Sequence, residues 1–143
     1  MAESNSLNRF LDAQASTYET ALSEIKAGRK RTHWMWFIFP QIKGLGLSST
    51  SVFYALTDLR EAEAYLKHQV LGSRLIGICQ TLLLAQGSDA HTVFGSPDDL
   101  KLNSCMTLFS SVPNSDPVFQ LVIEKFFSGQ KDDRTLQILR QQE

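Results

Sequence analysis

The stretch LGSRLIGICQTLLL, residues 71–84, is apolar over most of the circumference of the helix that its spacing predicts. A helix with so broad an apolar surface is surrounded by other helices. The stretch therefore predicts the central helix of a bundle, followed by a stop at Gly87. Two adjacent apolar stripes run along it, with Leu71, Leu75, Ile78 and Leu82 in the first and Ile76, Cys79 and Leu83 in the second.

A second helix is predicted within GSPDDLKLNSCMTLF, residues 95–109, where three start signals coincide. Ser96 is a predicted N-cap, Pro97 suits the first helical position, and Asp98 and Asp99 carry the negative charge that a first helical turn favours. This position explains the two acids better than a catalytic carboxylate pair does. The residues predicted to face inward are Leu102, Cys105, Met106 and Phe109.

Helix signals recur along the rest of the chain. Ser6, Asp58 and Asp116 are predicted N-caps, and Gly28 and Gly129 are predicted C-terminal stops. The helices that these residues bound are predicted around residues 7–14, 18–25, 59–68, 117–128 and 132–141. The first two segments fit either one bent helix or two helices.

Composition limits the class of protein. The 143 residues are 43% hydrophobic and 20% charged with a net charge of -1, which is typical of one globular domain that buries its own core. We expect a single all-α domain of about six to eight helices over residues 1–143, ordered from about 6 to 140. No apolar run is long enough to cross a membrane, no signal-peptide core is visible and nothing indicates nucleic-acid binding, so a cytoplasmic protein is expected. Cys79 and Cys105 are predicted to be separate buried thiols.

The unusual part of the sequence is RKRTHWMWFIFPQIKGLG, residues 29–46, which places basic residues around aromatic ones. Its apolar run fits either a buried strand or a buried helix, and a helix over residues 32–39 is favoured because no partner strand exists elsewhere. Trp34 and Trp36 are two residues apart and point in different directions on a helix. One of them is expected to lie in the core and the other to line a cleft.

This segment is the candidate site. His33 is the best acid–base candidate because imidazole titrates near neutral pH. Indole faces beside cationic groups suit a flat anion, and the glycines with the following hydroxyl residues predict a helix N-terminus that presents free N–H groups. No residues have metal-ligand spacing, and no cofactor is predicted. The expected ligand-binding residues are Arg31, Trp34, Trp36, Gln41, Lys43, Gly44, Gly46, Ser48, Ser104 and Thr107.

Four segments carry a family resemblance: HWMWFIFPQIKGLG, EAEAYLKHQVLGSRL, FGSPDDLKLNSCMTLF and FFSGQKDDRTLQIL. In this order they resemble the uncharacterised family DUF1810, from about Asn8 to Leu139. The resemblance implies a mainly helical fold, and no catalytic residue is carried over. Some bacterial members are labelled calpastatin, which implies a disordered protease inhibitor. The apolar stripes of this chain contradict disorder because they require a core.

Three functions remain open from the sequence: binding of an anionic, nucleotide-like small molecule, catalysis in the same pocket, and interaction with a protein partner through exposed aromatic residues. A deep pocket that contains His33 and a tryptophan favours the first two. A flat, exposed aromatic patch favours the third. The sequence leaves the oligomeric state undetermined.

Overall fold

A computed structural model describes residues 2–143 of the chain, and the side chains of residues 7–143. The described residues form ten helices joined by short loops. Their bounds are α1 Ala2–Ala15, α2 Tyr18–Lys26, α3 Met35–Ile38, α4 Ser49–Tyr54, α5 Leu59–Lys67, α6 Gln69–Leu84, α7 Ala90–Phe94, α8 Asp98–Ser110, α9 Val118–Phe127 and α10 Asp133–Gln141.

The long apolar helix α6 is central, as predicted. It packs against α2, α5 and α9, and α8 packs on α5 and α9 to complete the core. The first stripe of α6 is fully buried together with Cys79, while Ile76 and Leu83 are half-buried. The two-stripe pattern therefore identified the centre of the bundle correctly.

The all-helical class is confirmed for the described residues, but the expected number of six to eight helices is wrong. Helix α7, with five residues, was not predicted, and α3 and α4 have only four and six residues. Helices of fewer than two turns are too short to show a 3.6-residue apolar period. Of the described residues, none belongs to a helix long and apolar enough to cross a membrane.

In the described part of the chain, β-type pairing is limited to one pair of residues. Ile42 and Leu56 form an isolated parallel bridge. Around it, the Lys43 N–H donates to the Leu56 carbonyl at 2.8 Å, and the Leu56 N–H donates to the Gln41 carbonyl at 2.9 Å. These two bonds close the loop that carries α4 and hold it against the segment that follows α3.

Two of the predicted N-caps are wrong. Helix α1 begins at Ala2, before Ser6, whose side chain lies outside the described residues. Helix α8 begins at Asp98, and Ser96 does not cap it. The reason is that N–H groups of the first turn already have other acceptors. The Asp99 N–H donates to the Gly95 carbonyl, and the Leu100 N–H donates to the Asp99 side chain, both at 2.9 Å.

Other helix ends agree with the sequence. The Asp58 carboxylate accepts from the Glu61 N–H at 2.9 Å and caps α5. The Asp116 carboxylate accepts from the Val118 N–H at 2.8 Å, one residue further from α9 than a standard cap. Gly28 and Gly129 follow the ends of α2 and α9 with φ of +86° and +81°. These positive φ values are ones that glycine adopts without steric cost.

The predicted helix over residues 32–39 is wrong, because α3 covers only Met35–Ile38. Arg31 and Thr32, shortly before Trp34, are held in a non-helical conformation by Glu24 of α2. The carboxylate accepts from the N–H groups of Arg31 and Thr32, at 2.7 and 3.1 Å. Backbone donors engaged by a side chain in this way cannot continue a helix toward the N-terminus.

Both cysteines are free thiols in the core, as predicted. Cys79 lies on α6 and Cys105 on α8, and the Cys79 sulfur is 3.7 Å from that of Met106. Burial raises the pKa of both thiols well above the usual range for cysteine. They are therefore protonated at neutral pH and act as small apolar groups.

Candidate functional site

Trp34 is the core tryptophan of the pair. Its side chain is fully buried and packs against Phe39 and Phe94, with ring centroids 6.1 and 6.3 Å apart. Its indole N–H donates to the Glu24 carboxylate at 2.9 Å. A buried indole needs such a partner for its N–H. Trp34 is one of the two tryptophans predicted to bind a ligand, and it is the one that lies in the core, where no face of its ring is open.

Glu24 is the acceptor that organises this region. It receives four hydrogen bonds from three residues, namely the Arg31 N–H, the Thr32 N–H and hydroxyl, and the Trp34 indole. Burial alone would raise the pKa of the carboxyl. The hydrogen bonds donated by Thr32, Arg31 and Trp34 outweigh burial and lower the pKa to about 2. Glu24 is therefore ionised at neutral pH and fixes the loop that leads into α3.

Two lysines and one aspartate connect the two tryptophans. Asp98 accepts from Lys30 at 2.9 Å and from Lys101 at 3.3 Å. The Lys30 ammonium lies 5.1 Å from the centroid of the Trp34 ring, and the Lys101 ammonium lies 4.8 Å from that of Trp36. Each lysine thus makes a cation–π contact and an ion pair. The three side chains together carry one net positive charge.

Trp36 is the accessible tryptophan. It is half-buried and lines an open recess of about 540 Å³ between α3 and α4. We call this the aromatic recess. Within its wall, the Tyr54 ring lies 5.3 Å from that of Phe37 and 4.8 Å from that of Phe53. The lining residues are Trp36, Phe37, Ser49, Thr50, Phe53 and Tyr54.

A second, narrow recess adjoins the first and shares Trp36 and Tyr54 with it. It has room for about 10 Å³, which is about the space of one water molecule. Gln41 and Gly46 line it beside Trp36. A Cβ atom at Gly46 would lie 2.6 Å from the Ser51 side chain, so only glycine lets this loop approach α4 so closely.

Arg9 of α1 fixes the far end of the aromatic recess. Its guanidinium donates to the Phe53 carbonyl at 2.7 Å and to the Ala55 carbonyl at 2.9 Å. It also lies 3.6 Å from the Glu61 carboxylate. These carbonyls belong to the last turn of α4, where helical partners are absent. The recess therefore has walls supported from α1.

The remaining predicted residues of this segment lie apart from Trp36 or have a structural role. Arg31, His33 and Lys43 are exposed, and within the described part of the chain the His33 side chain makes no hydrogen bond. Ser48 caps α4, and its hydroxyl accepts from the Ser51 N–H at 3.1 Å. The helix start predicted after the glycines is confirmed, but α4 has six residues and one of its free N–H groups is occupied by this cap.

Gly44 is exposed at a turn with φ of +110°, which explains the glycine through backbone conformation. Of the predicted residues in this segment, the structure therefore brings together Trp36, Gln41 and Gly46. It separates them from Trp34, which is in the core. The single pocket predicted to contain both His33 and Lys43 is not among the cavities around Trp36.

Ser104 and Thr107 attach α10 to α8. The Thr107 hydroxyl accepts from the Asp132 N–H at 2.9 Å and donates to the Asn103 amide oxygen at 3.2 Å. The Ser104 hydroxyl lies 3.2 Å from the Asp132 carboxylate, which caps α10 through the Thr135 N–H at 3.0 Å. Both hydroxyls are buried in this network. Both were predicted as ligand-binding groups, and the structure places them in the contact between α8 and α10 instead.

The sequence did not indicate the other aromatic residues and the cation of the site, which are Phe37, Phe53, Tyr54 and Lys101. Phe37, Phe53 and Tyr54 lie in apolar runs that indicate a core. Phe53 is nevertheless 57% exposed. The sequence did hold one sign that Phe53 and Tyr54 are accessible. They end a short helix whose first turn is polar, and a helix this short has no apolar stripe that would bury them. Nothing in the sequence places Lys101 against Trp36, because the two are far apart in the chain.

Comparisons with known proteins agree on the family. The family model described as a protein of unknown function, DUF1810, matches residues 4–139. The crystal structure of the conserved hypothetical protein Rv1873 from Mycobacterium tuberculosis has a TM-score of 0.91 to this chain at 45% sequence identity. The similarity covers 94% of this chain and 96% of that one. No curated protein matches the sequence. The resemblance noted from the four sequence segments is confirmed: the chain belongs to the DUF1810 family.

Proposed function

We propose that the aromatic recess binds a small ligand with a flat ring system, such as a nucleotide. The observation that carries the proposal is the position of Trp36. Its half-buried ring borders an open recess of about 540 Å³. Phe37, Phe53 and Tyr54 supply further ring faces around the same space. Such platforms stack flat heterocycles of differing identity.

The charge beside Trp36 supports an anionic group on the ligand. Asp98 is shared by Lys30 and Lys101, and the Lys101 ammonium is the cation that lies against Trp36. Lys101 is the more accessible of the two lysines, with 23% of its side chain exposed against 8% for Lys30. An ammonium 4.8 Å from the Trp36 ring attracts a phosphate attached to a stacked base.

The lining favours binding over acid–base catalysis. The residues around both recesses are aromatic, aliphatic, hydroxyl or amide residues, and Tyr54 is the one titratable residue among them. His33, the acid–base candidate from the sequence, is exposed and is not part of this lining. The proposed function therefore includes no reaction.

Fluorescence titration tests this function because Trp36 reports on the recess and Trp34 does not. Adding a panel of nucleosides and their monophosphates to the protein is expected to quench part of the emission. The quenching should disappear in Trp36→Phe, and calorimetry should show binding weakened in Trp36→Ala. Leu84→Ala, a change at an exposed apolar residue of α6, is the control. Absence of heat and of quenching across the panel would overturn the proposal.

A second candidate function, protein–protein interaction, is supported by a different observation. Phe53, which lines the recess, is 57% exposed, and Leu47 and Val52, near it in the sequence, are 95% and 51% exposed. Clustered exposed apolar side chains of this kind occur at sites that bind protein segments. A selection of displayed peptides on the immobilised protein tests this candidate. Peptides that lose binding to Phe53→Ser but keep binding to Leu84→Ser would support it, and recovery of no such peptides would contradict it.

A further inference from the structure

We propose that Arg9 and Glu61 form a latch that holds α4 in place and keeps the aromatic recess formed before a ligand arrives. Arg9 lies on α1 and Glu61 on α5, and the lining of the recess comes from other residues. Both are therefore positioning residues, which act on a ligand through α4. The inference rests on the proposed function and adds to it the contacts outside the site that set its affinity.

The first observation is that α4 has no buried residue of its own. It has six residues and packs mainly on α3, the helix on the other side of the recess. Its last turn nevertheless supplies Phe53 and Tyr54, which are two of the four aromatic residues around the recess. A helix of this length is not stable without contacts to the rest of the protein. The shape of the recess therefore depends on what holds α4 from outside.

The second observation is how the latch ends α4. In a continued helix the Phe53 carbonyl would accept from the Thr57 N–H, four residues later. Instead, the Thr57 N–H donates to the Glu61 carboxylate at 2.8 Å. The Phe53 carbonyl accepts from the Arg9 guanidinium at 2.7 Å. The two residues of the latch thus bind the acceptor and the donor that a longer helix would join, and they fix where the last turn of α4 lies.

The third observation is that the latch is itself well ordered by its surroundings. Its two side chains are only 14% and 11% exposed, and they lie 3.6 Å apart. The Arg9 guanidinium also donates to the Ala55 carbonyl at 2.9 Å and lies 4.4 Å from the centroid of the Phe10 ring. Phe10 is fully buried, and its ring lies 5.9 Å from that of Tyr54. Neighbouring residues of α1 therefore hold the backbone and an aromatic ring of α4 together.

The geometry requires an arginine and not only a positive charge. Arg9 reaches the Phe53 carbonyl through Nε and the Ala55 carbonyl through Nη2, which are held in one plane by the guanidinium. A lysine ammonium is a single point of charge and does not reproduce this planar arrangement. Lysine at position 9 should therefore keep the charge and lose the grip on α4.

The expected consequence for a ligand follows from how often the recess is formed. A ring can stack between α3 and α4 only while α4 is in place. The apparent affinity is reduced by the fraction of molecules in which the site is formed. If the loss of the latch leaves α4 in place for about a tenth of the time, binding weakens about tenfold.

The test uses Arg9→Lys in the full-length chain. Amide hydrogen exchange of residues 49–57 is expected to become about tenfold faster, while that of α6 stays unchanged, because only α4 is released. Binding of AMP, CMP, GMP and UMP, measured by calorimetry, should weaken about tenfold for those that the unaltered protein binds. Arg134→Lys, the same substitution at an exposed arginine of α10, is the control and should change neither measurement.

Glu61→Gln is the second variant and carries the test if Arg9→Lys does not fold. Its amide oxygen can still accept from the Thr57 N–H, whereas the charge beside Arg9 is lost. The same local pattern is expected with a smaller increase in exchange, of about threefold. A thermal melt shows whether each variant is folded at the temperature of the measurements.

The outcomes separate the latch from the proposed function. Unchanged exchange of residues 49–57 would overturn the latch, whether or not nucleotides bind. Equal acceleration along the whole chain would also overturn it, since Arg9 would then stabilise the fold in general. Faster exchange of α4 with unaltered nucleotide binding would overturn its control of affinity. Faster exchange of α4 in a protein that binds none of the four nucleotides would overturn the proposed function and leave the latch as a purely structural contact.

Discussion

The Trp34 indole donates its N–H to the Glu24 carboxylate at 2.9 Å, inside the core and away from the recess that Trp36 lines. Two tryptophans only two residues apart therefore have opposite roles. Trp34 holds α2 and the α7 region together through Glu24 and Phe94, and Trp36 supplies the open ring face of the candidate site. The segment of residues 29–46, which the sequence analysis treated as one candidate site, therefore has a structural part around Trp34 and an exposed part around Trp36.

Glu24→Gln is expected to lower the free energy of unfolding by about 1–3 kcal/mol at pH 7, because hydrogen bonds to an ionised acceptor are replaced by bonds to a neutral one. The folded-state pKa of Glu24, about 2, lies below its usual value of 4.5. Its stabilisation is therefore fully present above about pH 4.5 and is lost as the pH falls toward 2.

Denaturant unfolding of both proteins between pH 7 and pH 2 measures this effect. The stability difference between the unaltered protein and Glu24→Gln should shrink steadily below pH 4.5. Glu19→Gln, at an exposed position of the same helix, should change little across the range. A difference that stays constant down to pH 2 would show that the charge of Glu24 is not what stabilises the loop.

Thr107→Val is expected to destabilise the protein by about 1–3 kcal/mol, because it leaves the Asp132 N–H without its buried acceptor. The loss should act on the docking of α10, so amide hydrogens of residues 133–141 should exchange faster than those of α6. Thr20→Val, at an exposed position of α2, is the matched control. Equal stability of Thr107→Val and the unaltered protein would contradict the anchoring role.

Gly72→Ala is expected to be severely destabilising, by about 2–3 kcal/mol or more, since overpacking against rigid backbone cannot relax. A Cβ atom at Gly72 would lie 2.0 Å from the Leu66 carbonyl oxygen, at the tight corner between α5 and α6. Gly87→Ala is the control, because a Cβ there meets nothing within 4 Å. Thermal melts of the two variants compare the effects, and similar melting temperatures would refute the claim of a clash.

Cys79 and Cys105 are expected to resist thiol reagents in the native protein, because burial raises the pKa of both groups and excludes the reagent. An assay with an aromatic disulfide reagent should detect almost no reactive thiol under native conditions and both thiols after denaturation. Rapid reaction of either cysteine in the folded protein would show that the core around α6 and α8 opens readily.

The sequence by itself determined the helical class, the central position of α6 and the inward face of α8. The spacing of apolar residues and the residue types at turns are local properties of the sequence. They predict a helix wherever it is long enough for the 3.6-residue spacing to be visible. For the same reason the cap at Asp58 was visible, since it bonds an N–H three residues away. The family was also visible, because long sequence segments carry it.

The tertiary structure alone decided which predicted residues form a site. Trp34 is buried because Glu24, ten residues earlier, accepts its N–H. Ser104 and Thr107 are structural because Asp132 lies against them, and Trp36 has its cation from Lys101 on α8. Each of these partners is set by helix packing and not by spacing along the chain. The sequence therefore gives the chemical type of a polar or aromatic side chain. Whether that side chain contacts a partner or faces open space depends on which helices pack around it.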